Sequence, residues 1–189
     1  MAINTIYLDN GIAKDISKNY NLQDPKNIKL EQVFQDAIFN LLQKKIESAK
    51  YQLKFDPYKY RYYYSNVKEI SSFLTGRYFS WLVSEILGFK RYTIEHELRR
   101  FDGGCYTLLH DTEKEKPGID FIIDFSKEKH LGIGQIRYST ENEEILTVDF
   151  SPNSISFIER RKSVMKYVKH VPSKTKCPII FVQGTVIKG

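Results

Sequence analysis

Cysteine is scarce in this 189-residue chain: Cys105 and Cys177 stand alone, in no CxxC spacing, which excludes a disulfide framework. They read as small core residues. Long apolar runs are also missing. The longest are a few residues, against the roughly 20 that cross a bilayer, and no apolar secretory stretch follows Met1. The expectation is a soluble protein of a reducing, cytoplasmic compartment. Glycine and proline are few, ten and six, beside thirteen Tyr and twelve Phe, which excludes the aromatic-poor composition of disordered chains. Low-complexity tracts and internal repeats are lacking too. Length and a 41% hydrophobic content suit a single domain over 1–189, with residues 1–90 as helical support and 91–189 as a β core.

Acidic residues are outnumbered. Lys and Arg total 29 against 23 Asp and Glu, a net charge of +6, which permits RNA, DNA or an acidic protein face as partner without demanding one. Residues 160–176, RRKSVMKYVKHVPSKTK, hold seven Lys or Arg and no acid. Arg160, Arg161, Lys162, Lys169 and Lys174 are the candidates for a basic face there, and a solvated sheet rim is the simpler reading of the same run.

The pattern changes along the chain. After Asp24-Pro25, apolar residues at Leu30, Val33, Phe34, Ala37, Ile38, Leu41 and Ile46 keep a helical period and predict a helix over 26–50. Residues 51–64, YQLKFDPYKYRYYY, read as a partly buried strand, although interleaved Tyr and Lys/Arg also suit base stacking. Asn66, with Glu69 three residues on, opens a second helix that Gly88 stops. Beyond Gly88, runs of β-formers at 91–101, 105–109, 119–125, 133–138, 144–150, 154–159, 163–171 and 178–187 are punctuated by Gly and Pro turns. About eight short strands braced by two N-terminal helices predict an α+β fold, a double-stranded β-helix of jelly-roll or cupin-like type.

Within 95–182 four motifs follow one another: Phe101, Gly104, Tyr106 and His110-Asp111 in FDGGCYTLLHDTE; the apolar run Gly118–Ser126; Gly132–Tyr138; and Ser151–Phe157. Their order resembles the iron(II)/2-oxoglutarate oxygenase superfamily, in particular its prolyl-hydroxylase-like branch. The resemblance implies Fe(II) and 2-oxoglutarate as cofactors of an active member. It also implies a facial triad of two imidazoles and one carboxylate, with the opposite side of the metal open to cosubstrate and oxygen. Tyr106 and Lys176 are the cosubstrate-binding candidates, and His110, Asp111 and His170 the metal candidates.

Two departures stand out. The family carries H-x-D, and two residues after His110 stands Thr112, a poor iron ligand; alternation turns Asp111 to the other face unless a bulge re-aims it, with Glu113 a further stand-in. The family also carries H-x-V-x-x-V, with Arg or Lys ten residues after the His. Here Lys166, Val168 and Val171 fill that frame with Lys176 ten residues on, so Lys166 stands in the place of His; the competing register gives the role to His170. A protonated lysine has no lone pair for iron, but its ammonium is able to pair with a neighbouring carboxylate. His96 and His130 lack partners at ligand spacing.

Three functions follow. The first is a non-catalytic binding or regulatory module with a degraded triad and no metal, acting on a protein partner. The second is an active prolyl-hydroxylase-like dioxygenase with a protein substrate. The third is an RNA- or DNA-binding protein that uses the basic face.

Overall fold

The computed structural model describes residues 3–108 and 117–189. After a 3₁₀ turn at Thr5–Leu8 come α1 (Asn10–Leu22), β1 (Asn27–Glu31), α2 (Asp36–Glu47), β2 (Gln52–Asp56), β3 (Tyr60–Ser65), α3 (Lys68–Leu74) and α4 (Arg77–Leu87). The β half continues with β4 (Tyr92–Phe101), β5 (Tyr106–Thr107), β6 (Gly118–Asp124), β7 (Ile136–Ser139), β8 (Glu144–Val148), β9 (Ser154–Arg160), β10 (Met165–Val168) and β11 (Ile179–Lys188). Among the described residues no helix is long and apolar enough to cross a membrane.

The helical half differs from its sequence expectation in three places. Helix α1 was not expected; Asp9 starts it, its carboxylate accepting from the N–H groups of Gly11 and Ile12 at 2.8 and 2.9 Å. The helix expected over 26–50 begins only at Asp36, because residues 27–31 pair with β9 instead, Leu30 lying opposite Ile155 and Ile28 opposite Phe157. The bend between them is held by Asn153, whose side chain accepts from Phe34 N at 2.8 Å and donates to Phe34 O at 2.9 Å. The helix expected from Asn66 to Gly88 breaks at Thr75-Gly76 into α3 and α4. Gly88 closes α4 as expected, in the left-handed region at φ 75°, which glycine enters at little cost.

The β half follows its expectation closely. Eight strands form one antiparallel sheet in the order β1-β9-β6-β11-β4-β3-β2, with β5 paired to β3, and β10-β7-β8 form a second sheet facing it. Strands β4 to β11 make the double-stranded β-helix. Alternation along each strand divides the core in two. One face of β6 and β11 sends Ile119, Phe121, Ile123, Val182 and Val186 toward the helices, against Phe79, Leu82, Val83 and Phe34. The other face sends Ile122, Ile179 and Phe181 into the barrel, against Ile136, Tyr138 and Val168 of the smaller sheet. Each fully buried side chain of this size contributes roughly 1.5–3 kcal/mol. The helices thereby brace the large sheet from outside and leave the interior between the sheets to side chains of the strands.

Candidate functional site

At one end of the barrel the apolar filling gives way to charge. Alternation in β6 places Asp120 on the inward face with Ile122, and its carboxylate is fully buried. Four side chains from four other strands converge on it. Thr185 of β11, its cross-strand neighbour, donates to Oδ1 at 2.8 Å, and Arg160, the last residue of β9, reaches the same oxygen at 3.1 Å. From the facing sheet, Lys166 of β10 lies 3.0 Å from Oδ2, and the Tyr138 hydroxyl of β7 donates to it at 3.2 Å. Lys166 and Tyr138 are themselves opposite one another in the β10-β7 ladder. One carboxylate therefore joins the two sheets, and its charge is met by an ammonium and a guanidinium. A buried carboxylate needs such partners, because transfer out of water without them costs several kcal/mol.

A second carboxylate lines a cavity together with Arg160, Lys166 and Thr185. Glu97 of β4 accepts from Arg99 Nε at 2.6 Å and from the Tyr62 hydroxyl at 3.0 Å, with Lys54 Nζ at 3.4 Å. Burial alone would raise its carboxyl; the Arg99 guanidinium, with Lys54 and Tyr62, outweighs that and holds it below the ordinary carboxylate range. Arg99 continues to Gln183 Oε1 at 2.9 Å and lies over the Tyr62 ring at 4.7 Å. A cavity of about 140 Å³ opens here between Tyr60, Tyr62, Arg99, Thr107, Lys166 and Gln183. A wider one of about 440 Å³ reaches Arg160, Lys166 and Thr185 from the side of Glu95.

The structure distributes the sequence candidates unevenly. Lys166 is at the centre of the network. His170 is exposed, its ring stacked against Tyr106 at 6.4 Å between centroids, and Lys176 is exposed ahead of β11; neither joins Lys166 at Asp120. The Tyr106 hydroxyl donates to Pro57 O at 3.2 Å. Arg160, counted in the sequence with a basic face, is instead buried against Asp120, since the β9 alternation turns it into the barrel. Arg161, Lys162, Lys169 and Lys174 are exposed, with Arg161 paired to Asp24 and Glu159. His110, Asp111, Thr112 and Glu113 lie outside the described residues. Among the described residues no three His, Cys, Asp or Glu side chains gather as a metal site. The sequence reading missed Asp120, Tyr138, Thr185 and Glu97. Of these, Asp120 left a trace in the sequence as one of two Asp, with Asp124, inside the apolar run of 118–125.

An ammonium already donating to a carboxylate offers a metal no lone pair, so Lys166 does not fit the position of an iron ligand.

No family model matches the chain. Over 79 residues, 40% of its length, it is 32% identical to the prolyl 3-hydroxylase OGFOD1 of Mus musculus, a match spanning 14% of that protein. Over 86 residues, 42% of its length, it is 29% identical to the Xenopus laevis protein of the same name, spanning 17% of it. Among solved structures, a 2OG-Fe(II) oxygenase-family oxidoreductase from Burkholderia pseudomallei is similar with a TM-score of 0.74 at 8% identity, covering 94% of this chain and 91% of that one. A prolyl-4-hydroxylase from Pseudomonas putida gives 0.65 at 9% identity, covering 94% and 99%. A prolyl hydroxylase from Trichoplax adhaerens, in complex with a hypoxia inducible factor peptide, gives 0.63 at 9%, covering 97% and 92%. The chain thus has the double-stranded β-helix fold of the 2OG-Fe(II) oxygenases, with prolyl hydroxylases among its structural neighbours.

Proposed function

We propose that this chain is a non-catalytic member of the oxygenase fold, a binding or regulatory module for a protein partner, in which charge pairing at one end of the barrel stands in place of iron. The observation that carries the reading is the 3.0 Å contact between Lys166 Nζ and the buried Asp120 carboxylate, at the β10 position where the motif frame expects a metal-binding imidazole. Arg160 on the same carboxylate supports it, because an acid already gripped by a guanidinium and an ammonium is not free to ligate a metal. A protein partner is favoured by the neighbours, one of which was solved with a peptide bound.

The test is calorimetric titration of metal-stripped protein with Mn(II), with and without 2-oxoglutarate, on the wild type and on His110→Ala and Lys166→His. The wild type is expected to show no micromolar metal binding and no metal-dependent decarboxylation of 2-oxoglutarate. Tight binding by the wild type, lost in His110→Ala, would return the chain to the active dioxygenases.

A further inference from the structure

The end of the large sheet opposite β1 is β2, and among the described residues β2 pairs only with β3. Its other edge presents unpaired backbone N–H and C=O groups, which proteins ordinarily guard with charge, proline or a covering element. Here the residues that alternate outward are Leu53 and Phe55, 51% and 58% exposed, and the hairpin that follows carries Tyr58 at 84%. Cross-strand pairing puts Tyr63 beside Leu53 and Arg61 beside Phe55 on the same face. An apolar strip with a free sheet edge is a template for an added strand.

Charge identifies what would add. Lys50, Lys59 and Arg61 border the strip, and none of them has an ion-pair partner among the described residues. The sole acid between 50 and 64 is Asp56, whose Oδ1 accepts from the Tyr58 N–H at 2.9 Å, against Lys50, Lys54, Lys59 and Arg61 in the same segment. A second copy of this chain would bring the same basic residues against themselves, and like charges across an interface are strongly disfavoured. A single-stranded nucleic acid would meet the aromatic rings and the cations but leave the backbone edge unmatched. We infer that β2 is a docking edge for an extended, acidic segment of a partner protein, which adds as a strand beside Gln52–Asp56, seats alternate apolar side chains on Leu53 and Phe55, and places its carboxylates near Lys50, Lys59 and Arg61. The edge is separate from the Asp120 network and stands whether or not the barrel binds metal.

The experiment is fluorescence anisotropy of a labelled peptide of alternating Glu and Val, titrated with the full chain, against the matching Lys and Val peptide and an oligothymidylate. The acidic peptide alone is expected to bind in the micromolar range, more weakly at high salt. Leu53→Asp with Phe55→Asp should weaken it by about tenfold or more, and Arg61→Glu by several-fold with a flatter salt response, while the fluorescence of Trp81 confirms an unchanged fold. Hydrogen exchange of the bound form should slow at 52–56. Absence of acidic-peptide binding, equal binding of the basic peptide, tighter binding of the oligonucleotide, dimerisation lost in Phe55→Asp, or unchanged exchange at 52–56 would each overturn the assignment.

Discussion

Asp124, the last residue of β6, offers the sharpest test of how this core treats charge. Its side chain is 1% exposed; Oδ1 accepts from Ser126 N at 2.8 Å, and Oδ2 has no hydrogen-bond partner among the described residues. Burial raises its carboxyl from 3.8 to about 6, against the lowering influence of Ser126, Lys29 and Ser151. The folded state therefore holds a proton that the unfolded chain releases near pH 4, and stability falls as pH rises from there through about 6. A rise of roughly two pH units corresponds to about 3 kcal/mol, all of it lost above pH 7. Asp124→Asn removes the titration while keeping an oxygen for Ser126. Urea denaturation of both proteins between pH 4 and 8, followed by Trp81 fluorescence, isolates the effect. His96 and His130, both pushed down by burial, titrate in the two proteins alike and cancel in the difference. The variant should gain about 3 kcal/mol on the wild type across that range. Parallel stability curves would refute the raised carboxyl and, with it, the reading of Asp124 as an ill-satisfied buried acid.

Asp120→Ala takes from Arg160 and Lys166 the carboxylate they share, and should lower the urea-measured stability by about 3–5 kcal/mol, more than Thr185→Val, which removes one hydrogen bond at about 1 kcal/mol. At Gly184 a Cβ would lie 2.3 Å from Phe121 Cζ and 2.5 Å from Glu95 O, so Gly184→Ala should cost roughly 1–3 kcal/mol and lower the melting temperature measured by calorimetry. Asn153→Ala loses both bonds to Phe34 at a backbone with φ 58°, and about 2–4 kcal/mol is expected. Asn153→Gly relieves the backbone part alone and should recover about 1 kcal/mol of it in the same denaturation assay.

The β half was legible because strands announce themselves by a period of two and by their turns: Gly132, Gly134 and Asn153 stand where the chain reverses, with φ of 71°, 59° and 58°. The segment 26–35 misled because Leu30 and Val33 also satisfy a helical period; what decides the matter is the ladder with β9, more than 120 residues away, which no local window contains. At the site, Lys166 was visible through the valine frame around it, and the expectation that its ammonium pairs with a carboxylate matches what is seen at Asp120. Which carboxylate was not legible. Asp120 is 46 residues distant, one of two Asp in an otherwise apolar strand, and only the closure of one sheet over the other brings it to Lys166.

That closure gives the barrel a fastener written into its own sequence. A bound metal can be chelated, oxidised or exchanged, and a fold that depends on one answers to the supply of that metal. The ammonium and guanidinium that grip Asp120 are complete when the chain is synthesised, respond to neither redox poise nor chelator, and lie too deep for salt to screen well. The two sheets are held in register by parts that cannot leave.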